Sequence, residues 1–304
     1  MCPLMIAQRS MMLVLAAVAV TAGAALAAQK AIKVDVDLVM VNVSVANEDN
    51  QFVSNLKAEN FQVFEDKVQQ SVRYFSSEAA PVSLGIVFDV SHSMQKKISF
   101  ARDAAVKFLQ TGTPDDEYFL VEFANRAKVA EGFTTDINRL RDRIAFSPAE
   151  GATALYDGVY LGLAQLKRGQ NPKKALLLIT DGEDNHSRYS RGDIRDFVRE
   201  ADAQIYVIDL GRALIGDIAE MTGGHSYHAS VDDLEEICER IAHELKSQYV
   251  IGYESTNTNK DGKFRKLRVK VTPPPGVGKL SLRTRDGYYA PNANLLDAGA
   301  LRSR

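Results

Sequence analysis

The sequence predicts an α/β chain in which a doubly wound, mostly parallel sheet is inserted between two β segments that form a smaller β-sandwich-like module. Three observations carry this. Two apolar runs, residues 82–88 and Ala175-Leu176-Leu177-Leu178-Ile179-Thr180, lack polar alternation and end abruptly in Asp89 and Asp181. Runs of this kind mark strands buried on both faces of a parallel sheet. Around them, strand and helix periodicities alternate, which implies helices on both faces. On either side of residues 81–247 the period is two, and each flank has too few strands to be stable alone. The two flanks are therefore expected to pair with each other.

In chain order, residues 1–27 read as an export signal. Arg9 precedes an uncharged apolar stretch over residues 11–28, and Ala25-Leu26-Ala27 is a small-residue cleavage site. The alternative is an uncleaved membrane anchor, because the stretch approaches the minimum spanning length. Its small Ala and Gly residues favour cleavage. Residues 28–80 form the first β segment. Val34, Val36 and Leu38 alternate with Asp35 and Asp37; Val39, Val41, Val43 and Val45 then alternate with Met40, Asn42 and Ser44. One extra residue flips the apolar parity of a strand, so the flip at Leu38–Val39 predicts a β-bulge. Phe61-Gln62-Val63-Phe64 and Val72-Arg73-Tyr74-Phe75 flank a polar turn at Glu65-Asp66-Lys67, which predicts a hairpin.

Within residues 81–247, Met94, Ile98, Ala101, Ala105 and Phe108 make one helical stripe. Residues 118–123 and 127–133 read as strands. Leu140 lies in a short helix, and residues 155–166 form a longer one. After Asp181 come a polar loop, a helix over 194–203 and a strand over 205–210. A last helix spans 231–246, with Leu234, Ile237, Cys238, Ile241 and Leu245 on one face. Cys238 reads as a small core residue. Loss of Cys2 with the leader leaves it no partner for an intramolecular disulfide, so stability rests on the core. In residues 248–290, Leu267, Val269 and Val271 alternate with Lys266, Arg268 and Lys270. Pro273-Pro274-Pro275-Gly276 breaks the chain before residues 279–283, and Gly287-Tyr288-Tyr289 closes the segment. Residues 291–304 are expected to be a disordered tail.

The 304 residues are 45% hydrophobic and 25% charged, with a formal net charge of −2. That supplies ample material for a core and gives no electrostatic case for nucleic acid or an anionic membrane surface. No cysteine cluster, H-E-x-x-H, G-x-S-x-G elbow or phosphate-cradling glycine loop is present, which argues against a zinc enzyme, a serine hydrolase and a nucleotide site.

The chemistry concentrates at Asp89-Val90-Ser91-His92-Ser93. Spacing by two in an extended loop points Asp89, Ser91 and Ser93 the same way, at the C-terminal end of a strand, where open α/β sheets bind ligands. One carboxylate with two hydroxyls is a hard, all-oxygen set suited to magnesium, manganese or calcium rather than zinc. Asp181 ends the second apolar run, and the small-residue loop Gly151-Ala152-Thr153-Ala154 delivers a third hydroxyl before a helix. Here the sequence resembles the von Willebrand factor type A domain and its metal-ion-dependent adhesion site, which combines a D-x-S-x-S loop with a downstream threonine and aspartate. The resemblance covers residues 81–247 and implies a Rossmann-like sheet and a metal site at Asp89, Ser91, Ser93, Thr153 and Asp181. Residues 28–80 with this domain also look like secreted bacterial proteins carrying a related domain. Those usually have Glu-Asp-Gly at the predicted hairpin; Lys67 in place of the glycine argues against a tight left-handed turn.

The resemblance implies a non-enzymatic binding module, exported to the periplasm or beyond the cell, with no membrane span once the leader is removed. It would hold Mg2+ (or Mn2+ or Ca2+) and take the Asp or Glu of a protein partner, in adhesion or assembly. Glu183, Asp184 and Asn185 would tune the site or hold a second cation, or simply form a solvated loop. His92 is expected at the solvent rim, and His225 and His228 are out of phase for one shared ion. Two rivals remain. A structural envelope protein would carry the site incidentally. A hydrolase of the haloacid-dehalogenase type needs a second aspartate where this chain has Ser91. N-terminal sequencing of the mature protein should begin near Ala28; an intact Met1 in a membrane fraction would support the anchor instead.

Overall fold

The computed structural model describes residues 38–292, apart from Arg212 and Leu214. The export leader, Cys2, the residues before Leu38 that enter the predicted bulge, and the tail beyond Asn292 lie outside the described residues. Among those described, no helix is long and apolar enough to cross a membrane.

The chain enters through β1 (Leu38–Ala46), β2 (Phe61–Glu65), β3 (Val68–Gln70) and β4 (Val72–Ser76). The α/β part then runs β5 (Val82–Asp89), α1 (Ile98–Gln110), β6 (Glu117–Phe123), β7 (Ala127–Thr134), α2 (Ile137–Phe146) and α3 (Leu155–Leu166). It continues through β8 (Lys173–Thr180), α4 (Arg191–Glu200), β9 (Gln204–Asp209), α5 (Gly216–Met221), β10 (His225–His228) and α6 (Leu234–Lys246). Four strands close the fold: β11 (Tyr249–Glu254), β12 (Phe264–Val271), β13 (Ser281–Arg283) and β14 (Gly287–Tyr289).

Six strands form the central sheet, in the order β10-β9-β8-β5-β6-β7. All neighbours are parallel except β7, which runs antiparallel to β6. Every residue of β5 is buried, and the two faces explain why. Leu84, Ile86 and Phe88 pack with α1 and α6 on one face, while Val87 packs with α3 and α4 on the other. A strand whose alternate side chains both enter a core has no polar face, hence the uninterrupted run. Cys238 is fully buried among the α6 residues. Burial pushes its thiol up to about 12, with a smaller contribution from Glu239. Helix α5 is absent from the sequence expectation; it is too short for a periodic pattern, although Ile218 and Ala219 are buried.

The flanking strands build two four-stranded antiparallel sheets, β13-β1-β11-β4 and β14-β12-β2-β3. Each takes strands from both flanks of the α/β part. Val41, Val43, Tyr249 and Ile251 of the first sheet meet Phe61, Val63, Leu267 and Val269 of the second in one core. The Phe61 ring packs at a tilt against those of Phe75 and Tyr249 across it. Buried Glu65 accepts hydrogen bonds from the hydroxyls of Tyr253, Ser255 and Tyr288 at 2.6, 2.6 and 2.8 Å.

Two expectations are corrected here. The hairpin partner of β2 is β3, with Glu65 opposite Val68; residues 72–76 cross to the other sheet and pair with β11. The turn is also tight and left-handed despite Lys67, with φ of 46° at Asp66 and 72° at Lys67. Two-residue hairpin turns need this conformation to match strand twist, and a non-glycine residue there costs about 1–2 kcal/mol. Strand β12 offsets that cost: Lys266 N donates to Asp66 Oδ1 and Asp66 N donates to Lys266 O, both at 2.9 Å.

At the N-terminal edge of the central sheet, buried Lys173 points its ammonium at Leu245 O, 3.0 Å away. Burial pushes its pKa down to about 8, partly opposed by Asp116. The unfolded chain then binds more protons than the folded one between about pH 8 and the ordinary lysine range near 10.4. Lys173 thus makes stability rise with pH across that window. Lys173→Met should flatten this slope, measured by chemical denaturation of both proteins from pH 7 to pH 10; an unchanged slope would contradict it.

Candidate metal centre

Parallel pairing fixes the site. Strands β5 and β8 are neighbours, with Phe88 opposite Ile179. Asp89 therefore comes level with Thr180, and Asp181 follows at the same C-terminal edge. Asp89 is fully buried. Its Oδ1 accepts from Ser91 N at 2.8 Å, the local turn that aspartate favours, and its Oδ2 accepts from the Thr180 hydroxyl. The Ser91 and Ser93 hydroxyls are 3.0 Å apart. Ser93 Oγ donates to Asp181 Oδ1 at 2.6 Å. Asp89, Ser91, Ser93 and Asp181 thus form one connected series.

Thr153 reaches the same place from a different loop. Gly151 turns the chain with φ of 90°, a conformation that side chains disfavour. The two loops are then zipped together: His92 N donates to Gly151 O at 3.0 Å and Glu150 N to Val90 O at 2.8 Å. Thr153 N donates to Asn185 Oδ1 at 2.9 Å, and Asn185 N returns to Thr153 O at 3.0 Å. Gly182 lies beside both hydroxyls. A Cβ there would lie 3.5 Å from Thr153 Oγ1 and 3.7 Å from Ser93 Oγ. All five predicted residues therefore stand at one edge.

Burial raises the Asp89 pKa above the usual carboxylate range. Hydrogen bonds from Thr180 and Ser91 pull it back, and repulsion by Asp181 adds to the rise.

Two participants, Thr180 and Lys97, were not foreseen. Thr180, fully buried, holds Asp89; its signal was a hydroxyl at the end of an apolar strand. Lys97 donates to Asp181 Oδ2 at 2.9 Å and to Leu210 O at 2.8 Å. A lysine opening an amphipathic helix carries no signal separating it from a solvated one. Asn185 and Asp184 work on the Thr153 side: Asp184 Oδ1 accepts from Tyr156 N at 3.3 Å and from the Ser187 hydroxyl. The acidic loop thus holds the start of α3. His92 is exposed. His225 and His228 turn to separate carboxylates, Glu220 and Asp209.

With this geometry in view, residues 84–183 match the family model described as the von Willebrand factor type A domain. Over those residues the chain is similar to a von Willebrand factor type A domain. It is 25% identical over 213 residues to the human inter-alpha-trypsin inhibitor heavy chain H4, covering 60% of this chain and 23% of that protein. A Borreliella burgdorferi protein described only as uncharacterized is 25% identical over 143 residues, covering 44% of this chain and 42% of that one. The chain thus matches well under two thirds of either relative's length. The von Willebrand factor type A structure from Catenulispora acidiphila shares the fold at a TM-score of 0.50, with 12% identity, covering 79% of this chain and 76% of that one.

The donor set suits a divalent cation. Two carboxylates and three hydroxyls offer oxygen alone, as magnesium and manganese prefer. Ser93, by donating its proton to Asp181, leaves its oxygen lone pairs for an ion. Two substitutions separate the roles of the buried carboxylate in chelator. Thr180→Val strips Asp89 of a donor and should cost about 1.5–3 kcal/mol of stability. Asp89→Asn keeps an acceptor for Ser91 N without a buried charge and should leave stability unchanged or higher. Denaturant titration reads both; a large loss in Asp89→Asn would contradict this account.

Proposed function

We propose that this is an exported, non-enzymatic protein-binding module, used in adhesion or assembly, that engages a partner's Asp or Glu through a divalent cation. Magnesium or manganese is the ion of choice; calcium is the softer-geometry alternative. One observation carries the reading: two carboxylates and three hydroxyls from three separate loops meet at one sheet edge, with Gly182 beside Ser93 and Thr153. Asp89, Ser91, Ser93, Thr153 and Asp181 would hold the ion directly or through water. The ion would supply positive charge at an exchangeable position, and a carboxylate from outside complements it. The leader sequence and its small-residue cleavage site support export.

A second reading has one observation in its favour. Lys97 already neutralises Asp181, as a structural hydrogen-bond cluster without metal would require. The hydrolase reading has none, because Ser91 cannot act as the second acid–base carboxylate.

Calorimetric titration of magnesium into wild type and Asp89→Asn separates these. The wild type should bind at millimolar concentration or below and Asp89→Asn should not. Ser93→Ala and Thr153→Ala, each losing one neutral oxygen, should weaken binding less. Capture of partners from an envelope fraction should then fail in chelator. No binding of magnesium or manganese by the folded wild type would end the metal reading. Capture that ignores chelator would make the site structural.

A further inference from the structure

Lys97 sits in a position of unusual consequence for the five oxygen-bearing residues. It caps the turn His92–Lys96 that carries Ser93, its own N–H donating to Met94 O at 2.8 Å. Its carbonyl accepts from Ala101 N at 3.0 Å, at the start of α1. The backbone of Lys97 is therefore fixed by the same turn that presents the serine. Its ammonium lies 2.9 Å from Asp181 Oδ2 and 2.8 Å from Leu210 O. The Asp181 side chain is only 3% exposed and that of Lys97 32%, so the pair is shielded on the carboxylate side. Among the described residues, Lys97 is the basic side chain in contact with this cluster. A carboxylate oxygen and a carbonyl oxygen are also what a hard cation takes.

We infer that Lys97 is a built-in cation that sets the metal affinity of the site and makes metal and carboxylate binding mutually reinforcing. The inference rests on the metal reading above. Asp89 and Asp181 bring two negative charges and Lys97 one positive, leaving one net negative charge. Without Lys97, a divalent ion would bring the site to neutrality and feel no fixed positive neighbour. With it, the loaded site carries one net positive charge, so an anionic partner group completes the balance. Lys97 thus weakens the resting interaction with metal by like-charge repulsion and by occupying one oxygen of Asp181. In return, it strengthens the demand for an external carboxylate. It also holds Asp181 in place when no metal is present, so that its loss should be felt in chelator.

The test uses magnesium alone, then magnesium with acetate as the carboxylate probe. Lys97→Met should bind magnesium about tenfold more tightly than wild type, the effect of removing one charge a few ångströms away in a mostly aqueous setting. Lys97→Arg should stay close to wild type, and Lys96→Met, which changes a neighbouring exposed lysine, should not differ from it. In chelator Lys97→Met should melt at a lower temperature, and magnesium should raise its melting temperature by more than it raises that of wild type. Acetate should tighten magnesium binding in wild type more than in Lys97→Met. Lys97→Gln gives the same measurements should the methionine variant fail to fold. Equal magnesium affinity in wild type and the neutral variants overturns the inference and leaves the metal site standing. No magnesium binding by any of them overturns both.

Discussion

A carboxylate with no exposed surface must find its partners within the protein, and at Asp89 that requirement organises the whole edge of the sheet. Buried charge without compensation is costly. Here Thr180 comes from the neighbouring strand and Ser91 N from the following turn, each occupying one oxygen. Asp181, one residue beyond Thr180, adds a second negative charge next door, so the hydrogen bonds alone leave an electrostatic deficit. Lys97 offsets part of it. A divalent ion among the serines and Thr153 would more than offset the rest, leaving positive charge for an outside carboxylate. The same arrangement that raises the Asp89 pKa is thus the arrangement that makes a cation welcome.

The β-module leaves that edge open because it attaches at the other end. Strand β5 begins six residues after β4 ends, and β11 begins three residues after α6. The joining contacts involve the starts of the central strands. The Gln248 amide donates to Gln204 Oε1 at 2.7 Å, to the Tyr206 hydroxyl at 3.1 Å and to Ser44 Oγ at 3.3 Å. Lys173 donates to Leu245 O in the last turn of α6, and Arg283 of β13 pairs with buried Glu244 of the same helix. Polar contacts of this kind fix orientation more than they add stability, and they hold the two parts as a platform with the site facing outward.

Much of this was legible because parallel strands buried on two faces leave a strong mark. The runs ending in Asp89 and Asp181 located the sheet edge and two of its carboxylates, and the loop at Thr153 was marked by small residues before a helix. What escaped detection was specific to side-chain reach and to long-range pairing. Lys97 contacts Asp181 eighty-four positions away, and nothing local distinguishes it from Lys96. The β2 hairpin was assigned the wrong partner because Val68-Gln69-Gln70 has little apolar character, whereas residues 72–75 read as a good strand and are one, in the other sheet. The turn at Asp66-Lys67 was misjudged because its left-handed backbone is held by Lys266, two hundred residues away.

The central claim is that Asp89, Ser91, Ser93, Thr153 and Asp181 hold one divalent cation. Titration of manganese into isotopically labelled protein, followed by amide line broadening in nuclear magnetic resonance spectra, tests it most directly. The paramagnetic ion should first broaden the amides of residues 89–93, 151–153 and 181–182, and magnesium should reverse the effect by competition. Broadening that begins elsewhere, or none at all in the folded protein, would contradict the account.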